Sequence, residues 1–152
     1  MGVLFSAMIH LKEVDRKNWI ACAGLELQSE QEKFLASNVY TIAQRQFEPI
    51  HQLRAIYHDE NLVGLLAFCH EDEPEDLELF WLFRFMIDRN HQNRGHGTAA
   101  LPLLTEEVRQ LGGKRLRTMH HPENHIAKRT YENFGFKEIG VLDNEPLYEL
   151  PL

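Results

Sequence analysis

Long apolar runs are missing from this chain: nothing approaches the ~18 consecutive residues a membrane-spanning helix requires. The N-terminus lacks the charged and apolar regions of a secretory signal. Cysteine is scarce, occurring only at Cys22 and Cys69, with no C-x-x-C spacing. Two such thiols read as reduced, structural residues of a cytoplasmic protein. Positive charge is in deficit, with 16 Lys and Arg against 23 Asp and Glu, a net charge of −7. That balance argues against nucleic acid as a partner, because phosphate backbones select basic surfaces. Repeats, linkers and low-complexity segments are absent too. What remains is 152 residues, 43% hydrophobic and 26% charged, which fits one globular domain over 1–152. Met1-Gly2-Val-Leu-Phe-Ser6 formally matches a myristoylation signal, but Val3 to Leu11 reads as the first strand.

In chain order, Asp15 is placed to cap a short helix, Arg16 to Ala23, ended by Gly24. Ser29-Glu-Gln-Glu32 reads as a capping box opening a longer helix to about Gln46, with Phe34, Leu35, Val39, Ile42 and Ala43 on one face. Leu53 to His58 and Leu62 to His70 form a hairpin about Asp59-Glu-Asn61. A charged turn, Glu71 to Asp76, leads to a strand, Leu77 to Asp88. A helix from Thr98 to Leu111, a strand from Lys114 to Met119 and a helix from Asn124 to Phe134 follow. Phe136 to Leu142 and Leu147 to Leu150 close the chain as a hairpin. Strands mixed with helices predict α/β layering.

The stretch Ile87-Asp-Arg-Asn-His-Gln-Asn-Arg-Gly-His-Gly-Thr-Ala-Ala100 carries the strongest signal. Two glycines one residue apart stand where strand gives way to helix, and the helix start offers unpaired N–H groups and a positive dipole end. This is an anion cradle. It is not a Walker A loop, because Thr98 and Ala99 stand where Lys and Ser/Thr are required. Gly95-His-Gly97-Thr-Ala-Ala100 matches the dinucleotide fingerprint, yet the next strand ends without the acidic residue that fold needs. The spacing of Gln92, Gly95 and Gly97 fits the pyrophosphate loop of acyl-CoA transferases. Downstream, Asn124, Ala127, Tyr131, Gly135 and Phe136 keep the spacing Asn-x2-Ala-x3-Tyr-x3-Gly-Phe.

Together the two motifs resemble the GCN5-related N-acetyltransferases over about Met8 to Leu150. More narrowly, Leu25-Glu-Leu, Glu30-Gln, Phe34, Ala36-Ser-Asn38 and Arg84-Phe-Met-Ile-Asp88 are similar to the bacterial spermine/spermidine acetyltransferases. The resemblance implies a mixed central sheet of six to seven strands flanked by about four helices. It implies acetyl-CoA as co-substrate, no metal, a primary amine as small-molecule acceptor (a polyamine foremost) and a homodimer. The acetyl group passes by direct attack in a ternary complex. Other small amines, a protein N-terminus, or a non-catalytic acetyl-CoA sensor are the alternatives.

By the same resemblance, Asn93, Arg94, Gly95, His96, Gly97 and Thr98 hold the pyrophosphate, with Gln92. Phe85, Met86 and Ile87 pair with the pantetheine arm, and Asn124 caps its helix beside the cofactor. Tyr131 is the expected proton donor to the leaving thiolate, since a phenol near pKa ~10 is protonated at neutral pH. The base is open. The strand interior Leu79 to Ile87 holds no carboxylate, and only Glu78 stands at its start. His120 or His121, after the next strand, offers a relay through water near neutral pH. For a cationic acceptor, the expected groove draws on Glu26, Glu30, Glu73, Glu75 and Glu78, with Trp81 and His120. Arg84 is an unexpected cation beside it.

Overall fold

The structure, a computed structural model, describes residues 8–152, so the Met1–Ser6 signal and the start of the expected first strand lie outside the described residues. Seven strands form one sheet in the order β1-β2-β3-β4-β5-β7-β6. They are β1 (Ile9–Glu13), β2 (Gln52–His58), β3 (Asn61–Asp72), β4 (Glu75–Ile87), β5 (Arg115–Met119), β6 (Lys137–Leu142) and β7 (Glu145–Pro151). All neighbours are antiparallel except β4 and β5. Helices α1 (Trp19–Ala23) and α2 (Asn38–Arg45) belong to one face, α3 (His96–Gln110) and α4 (His125–Phe134) to the other.

β3 explains the layering. Its residues Val63 to Phe68 are all buried, because both faces of the strand are covered. Leu66 and Phe68 join Phe80, Leu82, Leu101, Leu104 and Val108 under α3, while Leu65 joins Ala55, Met86 and Cys22 under α1. Gly64 leaves no room for a side chain between β3 and β4: a Cβ there would overlap the Met86 carbonyl oxygen and stand 2.9 Å from Ile87 Cδ1. Gly64→Ala must therefore push β4 aside. Overpacking of this kind costs about 1–3 kcal/mol, and each kcal/mol is worth roughly 2–4 °C in a domain of this size. A melting point within a degree of wild type would contradict the packing described here.

The expected long helix from Ser29 to Gln46 is two pieces. Ser29–Phe34 is a 3₁₀ turn, boxed by Gln28 and Gln31 rather than by Ser29 and Glu32. Leu35 is extended, and Ser37 starts a new helix by accepting a hydrogen bond from Tyr40 N–H. The break changes the helical phase, so Val39 faces solvent while Leu35 and Ile42 pack on the Cys22 cluster. Asp15 caps a turn, accepting from Lys17 and Asn18 N–H, and regular helix begins only at Trp19. The acidic stretch is also shorter as a turn than expected, since β3 runs through Asp72 and β4 begins at Glu75.

Two features of β4 create the site. It pairs with β5 only from Leu79 to Leu82, opposite Arg115 to Thr118, and then runs on to Ile87 with β3 alone beside it. That leaves a free backbone edge. At the same point the β3 register jumps, with Ala67 opposite Arg84 but Phe68 opposite Leu82, so Phe83 is the extra residue of a bulge.

Candidate active site

The open edge of β4 and the start of α3 and α4 enclose a cleft of about 370 Å³. Phe85, Met86 and Ile87 border it on one side, Asn124, Ala127 and Tyr131 on the other, with Gln92, Asn93 and Gly95 to Thr98 at one end. Of the cofactor residues expected from sequence, only Arg94, exposed on the loop, is outside this lining. Leu27, Gln31, Phe34 and Leu35 also contribute, a mainly apolar strap that sequence reading knew only as a helix face (Phe34, Leu35), a capping box (Gln31) and part of the narrower resemblance (Leu27, Gln31, Phe34), not as cleft wall.

Helix α3 begins at His96, two residues earlier than expected, with Gly95 as its N-cap. The first helical hydrogen bond runs from Ala99 N–H to Gly95 O, so the N–H groups of His96, Gly97 and Thr98 have no helical acceptor. Gly95 adopts φ +80° and Asn93 φ +64°, which turns the chain from strand into helix. A Cβ at Gly97 would meet only Phe85 and Ile87 side chains at 3.5 and 3.7 Å, so its missing side chain leaves room in the cleft itself. Donors plus a dipole end and space form a site for a diphosphate.

The loop is stapled to the strap. Gln92 Nε2 donates to Ile87 O and to Gln31 Oε1, both at 2.9 Å, and Gln31 Nε2 donates back to Gln92 at 3.3 Å. Asp88 accepts from Glu26 N–H at 2.9 Å, and Arg89 N–H donates to Glu26 O at 2.7 Å. The Gln92 amide therefore positions the loop. His96, buried with its ring tilted against His58 at 4.6 Å, has its pKa lowered by burial and then by His58, His91 and Arg94.

Tyr131 packs its ring on Phe85 and Phe136 within the main core. Burial pushes its phenol up to about 12, with the Thr118 hydroxyl beside it pulling the other way. It is a neutral O–H donor across the physiological range. Asn124 accepts from Ala127 N–H at 3.1 Å, the capping role its place in the motif suggests, worth ~1 kcal/mol. Burial also raises both thiols, Cys22 to about 11 and Cys69 to about 12, and neither lines the cleft. Among the described residues no group of three His, Cys, Asp or Glu is placed to hold a metal, and no helix is long and apolar enough to cross a membrane.

The acetyltransferase (GNAT) family profile matches residues 15–136. This chain belongs to that family. It is 28% identical over 139 residues to a protein of Bacillus subtilis subsp. natto (strain BEST195) named "Probable spermine N(1)-acetyltransferase", covering 89% of this chain and 91% of that one. An acetyltransferase structure from Thermus thermophilus superposes with TM-score 0.71 at 22% identity, covering 95% of this chain and 97% of that one. The PaiA N-acetyltransferase of Thermoplasma acidophilum, solved with coenzyme A, gives TM-score 0.69 at 15% identity, covering 95% and 99%. The chain is thus an N-acetyltransferase of the GNAT fold acting on amines, and the family's co-substrate is acetyl-CoA.

The residues expected to bind a cationic acceptor are not gathered at this GNAT cleft. Glu73 and Glu75 lie at the tip of the β3–β4 hairpin, and eight residues of strand, about 26 Å at ~3.3 Å each, separate Glu75 from the bulge. Glu78 gives its backbone carbonyl to Lys114 N–H. Glu26 pairs with Arg89 at 3.2 Å, and Glu30 takes only the Ser29 hydroxyl. Trp81 donates to Glu71 at 2.7 Å with Arg117 over its ring at 5.7 Å. None of these lines the cleft, nor does His120.

His120 is buried, its ring tilted against Tyr148 at 5.4 Å. Its Nδ1 donates to the His121 carbonyl at 2.8 Å, so Nδ1 carries a proton. The ring's Nε2 is buried without a partner among the described residues. His121 instead stacks on Phe34 at 5.0 Å and takes Glu123 N–H on its own Nδ1.

Proposed function

We propose that this GNAT enzyme transfers acetyl from acetyl-CoA to a primary amine by direct attack in a ternary complex. The observation that carries the reading is that one cleft is bordered by the start of α3 with its unpaired N–H groups, by the free edge of β4 and by Tyr131. Acetyl-CoA, when bound, supplies an activated acetyl group and a thiolate leaving group. The backbone from Asn93 to Thr98 holds its pyrophosphate, and Phe85 to Ile87 pair with its pantetheine arm. Tyr131 Oη donates a proton toward the departing sulfur and recovers one through solvent. The proton that the acceptor must lose leaves through a water relay, for which His120 Nε2, outside the cleft lining and without a protein partner among the described residues, is the candidate terminus. Two thiols held protonated by burial support direct attack over an acyl-cysteine route.

A polyamine acceptor is the second reading, supported by the name of the 28% identical relative and by the net charge of −7. A thiol-release assay with acetyl-CoA and a panel of amines tests both. If polyamines are the acceptors, kcat/KM rises from a monoamine to spermidine to spermine, and KM climbs with salt as charges become screened over about 8 Å. Equal kcat/KM for monoamines and polyamines at low salt removes the polyamine reading. No thiol release with any amine removes the transferase reading.

A further inference from the structure

We infer that Arg84 forms an anion subsite and that the acceptor amine carries a carboxylate, as an amino acid or a peptide does. This rests on the acetyltransferase reading and deepens it by naming the acceptor class.

Three arginines stand on the central strands. Arg115 pairs with Asp76 at 3.3 Å and with Glu149 at 3.5 Å, and Arg117 pairs with Glu149 at 2.9 Å. Arg84 pairs with no carboxylate among the described residues. Its one hydrogen bond is from a terminal nitrogen to the neighbouring Phe83 carbonyl at 3.0 Å, and its Nε is buried with no partner. Burial lowers its pKa. A guanidinium has five donors and no acceptor, so most of this one's capacity is unspent. The buried Nε is the costly part, since solvent reaches the exposed end of the guanidinium but not this N–H.

Its position says which ligand. Arg84 directly follows the bulged Phe83, and its guanidinium lies 5.4 Å over that ring. Arg84 is two residues from Met86, so it shares the strand face that packs under α1, opposite the face buried by α3. His51 covers the other part of Phe83 at 4.4 Å. Arg84 is outside the cleft lining itself but adjoins Phe85, which borders it, and because α3 and α4 build the cofactor side, the α1 and α2 side of the bulge is the one left for the acceptor. A planar fork beside an aromatic suits a carboxylate, which it can bind through two parallel hydrogen bonds.

Decarboxylated twins test the assignment: lysine against cadaverine, ornithine against putrescine, and phenylalanine against phenethylamine, each by thiol release from acetyl-CoA. The expected result for the wild-type enzyme is a kcat/KM roughly 10- to 100-fold higher for the carboxylated member of at least one pair, the range of a charge-assisted hydrogen bond. Arg84→Met, which keeps an apolar stem, brings that ratio near one, chiefly through KM. Cadaverine, putrescine and phenethylamine equal to or better than their twins overturn the inference while leaving acetyl transfer intact. So does an unchanged ratio in a folded Arg84→Met enzyme. The wild-type comparison stands even where that variant does not fold. No turnover with any amine, together with no acetyl-CoA binding by calorimetry, sinks the transferase reading and this one with it.

Discussion

In Tyr131→Phe, kcat falls by ~10²–10⁴-fold while acetyl-CoA binds almost as before, because one oxygen is removed and the ring stays. The ring is a core residue, packed 5.4 Å from Phe136 and 6.4 Å from Phe85, so phenylalanine preserves the wall of the cleft. The hydroxyl is the proton donor, and help of this kind is typically worth that range of rates. A pH profile sharpens the test. The Tyr131 pKa lies up at about 12, above the ordinary phenol at ~10, so the donor stays protonated as pH rises through the usual phenol range. Any alkaline fall in kcat below that belongs to another group and persists in the variant. Wild-type turnover in the folded variant, measured where chemistry limits the rate, makes Tyr131 a packing residue only.

Gly97→Val abolishes most acetyl-CoA binding, by about 100-fold or more in Kd, equivalent to about 2.7 kcal/mol. The first β-carbon is tolerated, its neighbours being Phe85 and Ile87 side chains at ordinary contact distance. The two γ-carbons are not, because they stand in the cleft beside the free N–H groups of His96 and Thr98. The helix itself does not suffer, since valine is a slightly better helix former than glycine. Calorimetry on the folded variant measures the loss, with circular dichroism to show that α3 persists. An unchanged Kd removes the Asn93–Thr98 backbone from the pyrophosphate site.

Local signals were legible in the residues. Gly95 had to be a turn, Asn124 a cap and Gly135 a helix end, and all three are so in the structure, Gly135 at φ +119°. The apolar run Leu62 to His70 announced a strand, and the two spaced motifs announced the acetyltransferase fold. These depend on near neighbours in the chain, whose spacing determines which groups meet.

Pairing between distant segments was not legible. Where β4 leaves β5, and that Phe83 bulges at that point, depends on how Ala67 and Thr118 align with it from far along the chain on either side. The break at Leu35 arises because Asp88, Arg89 and Gln92 draw the strap onto the loop, which competes with a continuous helix. Glu73 and Glu75, which looked like part of a cation groove, lie instead at a hairpin tip, since strands carry their ends far from their middles. Arg84 was visible as a charge out of place, but only packing decided that Arg115 and Arg117 are neutralised by Asp76 and Glu149 while Arg84, among the described residues, is left without an acid. Charge counts add over the whole chain, whereas pairing needs two groups within a few ångströms, and that distance is set by the tertiary fold.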